Sequence, residues 1–306
     1  MQNNPPLTFG PVNSRRFGIS LGIDLSPFTK QCNFDCLYCE LQGSKTVNNQ
    51  NNIVEVDKYI QAVKDRLIQD NSIEVITLTA NGEPTLYPYL EKLVDELNQI
   101  KQHRKLLILT NSSLIYKESV FRTLQKIDIV KLSLDCATKK CFTKLDRLDK
   151  SLNYQDIIDG IITFSKVFNN DLVIEVLFVD GINNNDDEIN KIYDILKLIN
   201  PTRIDIGTID RPPAYDVKPI GYEDLRSISD KFSGLNISIA HKKQVQLNKS
   251  MNETDILNLL DKRPQTKEDI TNLLDIKSKV LFDNLVENDK IIIRNQAGVE
   301  FYVKGR

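Results

Sequence analysis

"IEVITLTANGEPTLYPYLEKLVDELNQIKQHRKLLILTNSS", Ile73–Ser113, holds a complete strand–turn–helix–strand unit. Its first seven residues are a short apolar, β-branched run, and the Asn81–Pro84 turn breaks it. "YLEKLVDELNQI" then places Leu90, Leu93, Val94 and Leu97 at the spacing of one helix face, and "LLILT" returns to a short apolar run. Two strands joined through a helix pair in parallel by a right-handed crossover. The same alternation extends in both directions, with strands predicted at Ile19–Leu25, Asp128–Leu134, Leu172–Val179 and Arg203–Ile209. "VDKYIQAVKDRLIQ" is a further helix. Six such units predict an α/β protein built on a partial (β/α)6 TIM-like barrel, and a seventh run, Leu235–Ala240, extends it.

The alternation stops near residue 245, dividing the chain into a 1–245 core barrel with an N-terminal extension and a 246–306 domain. The second part begins with a helix capped by Asn252 and continues with one whose Thr266 and Asp269 are spaced as a capping box. A third helix, "KSKVLFDNLVEND", precedes "KIIIR" and "VEFYVK", joined by the hairpin-length turn "NQAG". Three helices and a hairpin spell a small winged helix-turn-helix. Residues 250–306 carry nine Lys plus Arg against ten Asp plus Glu. Phosphate neutralisation needs clustered cations, so DNA is not the expected partner. Binding a protein or peptide, or covering the barrel mouth, fits better. "NNQNN", Asn48–Asn52, reads as a solvated loop.

Across 306 residues the formal net charge is −2, which sets no prior for gripping a nucleic-acid backbone. No run approaches the roughly 18 apolar residues of a membrane span, and the N-terminal residues have no apolar signal region. Five cysteines, an odd number, predict a reducing cytoplasm rather than a disulfide framework.

Three of those cysteines crowd into "QCNFDCLYCELQG", Gln31–Gly43. The segment follows the end of the first predicted strand, and parallel barrels carry their chemistry on such loops. Cys32, Cys36 and Cys39 supply three thiolates. Structural zinc asks for a fourth Cys or His, and none is nearby. Three inert buried thiols are the other alternative, against which stand the polar neighbours Gln31, Asn33 and Asp35. A [4Fe–4S] cube takes cysteine thiolates, and three of them leave one iron open.

Cys-x3-Cys-aromatic-Cys after the first strand, with Tyr38 as the aromatic, resembles the signature of radical S-adenosylmethionine (radical SAM) enzymes. "TANGEPTL", Thr79–Leu86, resembles that family's Gly-Gly-Glu motif, with Asn81 for the first Gly. "LTNSS" and "SLD" resemble strand ends that contact the SAM carboxylate and ribose. The resemblance covers about residues 9–215. It implies a cluster held by Cys32, Cys36 and Cys39, and SAM held around Tyr38, Ala80, Asn81, Gly82, Glu83, Asn111, Ser133, Asp135 and Asp180. It also implies a 5′-deoxyadenosyl radical that takes hydrogen from a substrate, and an electron donor such as flavodoxin or ferredoxin.

"GPVNSRRFGISLGIDLSPFTKQCNFDCLYCEL" with "GTIDRPPAY" is similar to a bacterial and archaeal group related to tRNA wyosine-forming enzymes. Those synthases carry an additional upstream cysteine set, and this chain has no cysteine before Cys32. The substrate is open between a small molecule, a peptide and RNA. Arg15, Arg16 and Arg211 are candidates to hold an anionic substrate group by bidentate hydrogen bonds. Cys136 and Cys141 are too few for a second cluster and read as small buried hydrophobes, although Cys136 follows Asp135 directly. His103 and His241 read as surface residues. An iron–sulfur sensor acting through the winged helix is the alternative from another class; it has no use for the Gly82–Glu83 turn.

Overall fold

The computed structural model describes residues 5–14, 16–239, 248–262, 264–296 and 299–305. Eight strands form one sheet in sequence order: β1 (Thr8–Ser14), β2 (Gly18–Asp24), β3 (Val75–Thr79), β4 (Lys105–Thr110), β5 (Ile129–Ser133), β6 (Asp171–Phe178), β7 (Arg203–Thr208) and β8 (Ile237–Ile239). From β2 to β8 every pairing is parallel. Helices α1 (Val56–Gln69), α2 (Leu90–Ile100), α3 (Glu118–Leu124), the single turn α4 (Lys139–Cys141), α5 (Tyr154–Ser165), α6 (Asp186–Ile199) and α7 (Tyr222–Lys231) lie between the strands.

The six predicted strands and the seventh run therefore form, within two residues at each end, and the fold is a parallel α/β sheet. β1 is the addition. Gly10 and Pro11 hid it from a periodicity reading. It pairs antiparallel with β2 at the sheet edge, with a register shift between Phe9 and Val12, where a proline is tolerated. β1 and β8 are the two edges and do not pair with each other, so the barrel is open along one side.

Alternate residues along the strands divide between two faces. Val130, Leu132, Ile174, Val176, Ile204 and Ile206 belong to the large core shared with the helices. The opposite face is concave. At its lower end Val75, Leu107, Ile129 and Val173 close over Phe17. Above that plug sits a layer of charge: Asp205, wholly buried, contacts Arg203 at 2.8 Å, Arg16 at 3.3 Å and Lys131 at 3.5 Å, while Glu175 bonds Lys131 at 2.5 Å and Arg16 at 3.2 Å. Leu109, in a central strand, is 37% exposed, because the concave face is not filled at that level.

After residue 248 the chain forms α8 (Glu253–Lys262), β9 (Gln265–Thr266), α9 (Lys267–Leu273), α10 (Ile276–Glu287), β10 (Ile291–Gln296) and β11 (Val299–Lys304), with sheet order β10-β11-β9. Asn252 accepts from the Asp255 N–H, and Thr266 and Asp269 cap each other. This region has its own apolar core around Ile256, Leu259, Leu274, Phe282 and Ile291, on which Val12 of β1 also packs. Lys249 Nζ bonds Asp70 at 2.7 Å at the end of α1, and Arg211, beyond β7, donates to the Pro264 carbonyl. The region thus touches both sides of the open barrel. No helix among the described residues is long and apolar enough to cross a membrane.

Removing one partner from a buried ion network leaves uncompensated charge, at a cost of about 3–5 kcal/mol. Asp205→Ala is therefore expected to lower unfolding stability by about that amount, read as a shift in the denaturant midpoint.

Candidate metal centre

The cysteine loop is seated by backbone pairing. Gln31 N–H donates to the Asn81 carbonyl and Glu83 N–H donates to the Gln31 carbonyl, both at 2.9 Å. Gly82 has φ +139°, and a Cβ there would stand 1.8 Å from the Gln31 carbonyl oxygen. What approaches the missing side chain of Gly82 is the backbone of the cysteine loop. Asp24, at the end of β2, accepts from Asn81 N–H at 2.7 Å and Ser26 N–H at 3.0 Å, which fixes the turn.

Glu83 is 1% exposed and its oxygens are occupied. Oε1 accepts from Thr85 N–H and from the Thr85 and Thr110 hydroxyls, and Oε2 accepts from Asn111 N–H at 2.7 Å. Burial pushes its carboxyl up, against those four donors. The carboxylate ties β3 to β4. Asn111 in turn donates to Asn33 Oδ1 at 2.9 Å and to Cys32 Sγ at 3.6 Å. Tyr38 hydroxyl donates to Asp135 Oδ2, and Asp135 Oδ1 accepts from Leu177 N–H at 2.7 Å. Burial raises the Asp135 carboxyl to about 7, opposed by the Tyr38 hydrogen bond. Tyr38, the aromatic between the cysteines, is the tie from the loop to the end of β5.

Cys32, Cys36 and Cys39 are free and half-buried. Among the described residues, the one trio of candidate ligand atoms gathered within 4.8 Å is Cys136, Cys141 and Glu188, so the three loop sulfurs are spread wider than that. Bonds of about 2.3 Å to one zinc would put sulfurs roughly 3.8 Å apart. The loop suits a larger body, and thiolates are the usual ligands of a four-iron cube. Burial, then Glu83, pushes the Cys32 thiol up to about 12. Burial and then Asp146 hold Cys36 well above the ordinary value, and burial raises Cys39 against the Lys30 ammonium. These thiols keep their protons at neutral pH until a metal displaces them.

Ala80 and Asn81 are half-buried at the end of β3, and Ser133 is half-buried at the end of β5. Asp180 is exposed beyond β6, its carboxylate 3.4 Å from Asn184 Nδ2. Of the candidate substrate arginines, Arg16 lies in the charged layer with Glu175 and Asp205, just before β2 and so at the opposite end of that strand from the cysteine loop. Its Nη1 is paired with those carboxylates, its Nε has no hydrogen-bond partner, and it lines a cavity with Phe17, Lys105 and Arg203. Arg211 is 7% exposed, bonds Pro264 and lies 3.5 Å from Glu40. It joins the C-terminal region to the residue after Cys39. Arg15 and His241 lie outside the described residues; His103 is exposed as expected.

Cys136 and Cys141 are buried but joined in a disulfide, which corrects their reading as separate hydrophobes. The Asn48–Asn52 stretch is not merely solvated: Gln50 is buried and donates to the Leu25 carbonyl at 2.6 Å. Sequence reasoning also missed Asp35, which accepts from Tyr215 hydroxyl at 2.7 Å and pairs with Arg147 at 3.0 Å. It missed Lys131, Glu175 and Asp205 as well. Their available signal was a charge inside an otherwise apolar strand, as in "LVIEVLFV" and "RIDIGTI".

The profile of the radical SAM superfamily matches residues 26–196. The chain belongs to the radical SAM superfamily. A UPF0026 protein of Helicobacter pylori is 38% identical over 305 residues, 98% of each chain, and one of Methanocaldococcus jannaschii is 30% identical over 97% of this chain and 96% of that one. Among solved structures, TYW1 with a lysine–pyruvate adduct aligns at TM-score 0.52, 14% identity, covering 71% of this chain and 74% of that one. A radical SAM methyltransferase from Sphaerobacter thermophilus aligns at 0.55, 12% identity, covering 72% and 65%. These likenesses show the radical SAM fold. The family's members are enzymes, and the family implies a cluster and SAM.

Two outcomes follow from the seating and protonation of the loop. Gly82→Ala forces Gln31 away and is expected to lower the thermal midpoint and cut iron uptake at least tenfold, measured by iron analysis after anaerobic reconstitution. Because the raised thiols hold protons that iron must displace, loading weakens as pH falls. Apparent iron affinity drops roughly tenfold per pH unit for each proton released, measurable by titration at fixed free iron.

Proposed function

We propose that this protein is a radical SAM enzyme whose [4Fe–4S] cluster is held by Cys32, Cys36 and Cys39, with SAM completing the coordination. The observation that carries this reading is the spread of three free cysteine sulfurs on a loop pinned to the ends of β3 and β5. When bound, the cluster and SAM supply reductive cleavage to methionine and a 5′-deoxyadenosyl radical that abstracts hydrogen.

The chain's own residues then have separate tasks. Gln31, Asn81 and Glu83 seat the loop; Asn111 and Tyr38 hold its two ends against β4 and β5. Ala80, Asn81, Ser133 and Asp180 are the strand-end residues left facing outward to hold SAM. Phe17 and the charged layer form the lower end of the concave face, beside a cavity that Arg16, Lys105 and Arg203 also line, and the hollow beside Leu109 and Ser133 is left for substrate.

The elements after residue 248 have the order of a winged helix, and we assign residues 246–306 to that domain. Its contacts with β1, α1 and Arg211 favour a cover over the open barrel rather than a DNA-reading module. The electron donor is a flavodoxin or ferredoxin in this reading. RNA as substrate is a second reading, favoured by the wyosine-related stretch "GTIDRPPAY"; salt-dependent tRNA binding distinguishes it.

After anaerobic reconstitution with iron and sulfide, reduction with SAM present is expected to release 5′-deoxyadenosine, detected by liquid chromatography. Cys32→Ala, Cys36→Ala and Cys39→Ala each lower that release at least 100-fold. Wild-type protein that binds iron yet releases none contradicts the proposal.

A further inference from the structure

The three loop sulfurs have unlike surroundings. Cys32 Sγ accepts from Phe34 N–H at 3.4 Å and from Asn111 Nδ2 at 3.6 Å, both neutral donors. Cys36 stands beside the buried carboxyl of Asp146, whose Oδ1 has no hydrogen-bond partner. Cys39 Sγ lies 3.4 Å from Lys30 Nζ, and the same ammonium donates to the Gln42 carbonyl at 2.9 Å. Lys30 thus spans the loop from before its first cysteine to beyond its last. It is half-buried, so its charge is screened less than that of a surface lysine. Among the described residues, Lys30 is the cation that hydrogen-bonds a loop sulfur.

Taking up one electron makes a thiolate-bound cluster more anionic by one charge. A cation beside a ligand sulfur favours that reduced state by Coulomb attraction, and an N–H···S hydrogen bond does so by drawing charge from the sulfur. Groups outside the ligand set tune metal centres in this way. Asp146, Asp135 and Glu83 are also buried near the loop, and each acts in the opposite sense only when ionised.

We propose that Lys30 is a positioning residue that raises the reduction potential of the cluster through the Cys39 sulfur. This inference rests on the cluster reading above. The step concerned is one electron passing from an external reductant, such as dithionite, into the cluster, with no bond made or broken in the protein.

The test is a redox titration of the reconstituted full chain, followed by low-temperature electron paramagnetic resonance of the reduced cluster, in wild type, Lys30→Met and Lys30→Arg. Lys30→Met is expected to disfavour reduction at least tenfold, a fall of 59 mV for a one-electron couple. Lys30→Arg keeps a charged donor and is expected to stay close to wild type. A Lys30→Met potential equal to wild type, at equal iron and sulfide content, overturns the assignment. Should Lys30→Met bind less iron, Lys30→Gln, which retains an N–H donor and loses the charge, carries the same comparison; an unchanged potential there also overturns it. Wild type that binds no iron and sulfide, and shows no cluster signal, overturns the cluster reading and this inference with it.

Discussion

Backbone pairing between Gln31 and the Asn81–Glu83 turn holds the cysteine loop at the mouth of the barrel. It works only because position 82 has no side chain to stand in the way. The loop needs such anchoring because it carries polar residues and three sulfurs and little apolar surface to bury. Its remaining ties are polar too: Tyr38 to Asp135, Asn33 to Asn111 and Ser113, and Asp35 to Tyr215 and Arg147. Their partners lie beyond β3, β4, β5 and β7 and at Arg147, so the loop's position is set from several sides at once. Buried networks of this kind are rigid when satisfied and costly when one member is lost.

The same economy of charge governs the barrel interior. Lys131, Arg16 and Arg203 pair with Glu175 and Asp205 below an open space, three cations against two carboxylates. The paired charges keep this part of the concave face polar, while the backbone ladders of β5, β6 and β7 set the strand spacing. The apolar cluster around Phe17 lies at the end remote from the cysteine loop, where it lines a cavity with Arg16, Lys105 and Arg203.

The region after residue 248 belongs to this picture through its contacts. Val12 of β1 packs in its core, Lys249 bonds the end of α1, and Arg211 reaches Pro264 from beyond β7. Arg211 also faces Glu40, next to Cys39. An arginine that sequence alone offered for substrate therefore connects the C-terminal region to the cysteine loop.

Local pattern determined the strands, the helices and the three cysteines, because apolar periodicity and close cysteine spacing are properties of neighbouring residues. The same holds for the Asn252 and Thr266 caps. β1 escaped because Gly10 and Pro11 remove the local signal, and an edge strand takes its hydrogen bonds from a neighbour. Tertiary structure alone decided that Glu83 bonds Thr110 and Asn111 at the end of β4, and that Arg16 belongs to a charged layer. It likewise decided that Lys30 meets Cys39, and that Cys136 joins Cys141. Each of these depends on what lies across the fold from a side chain: a charge or thiol in sequence has no partner until the parallel sheet brings distant strand ends within a hydrogen bond's reach.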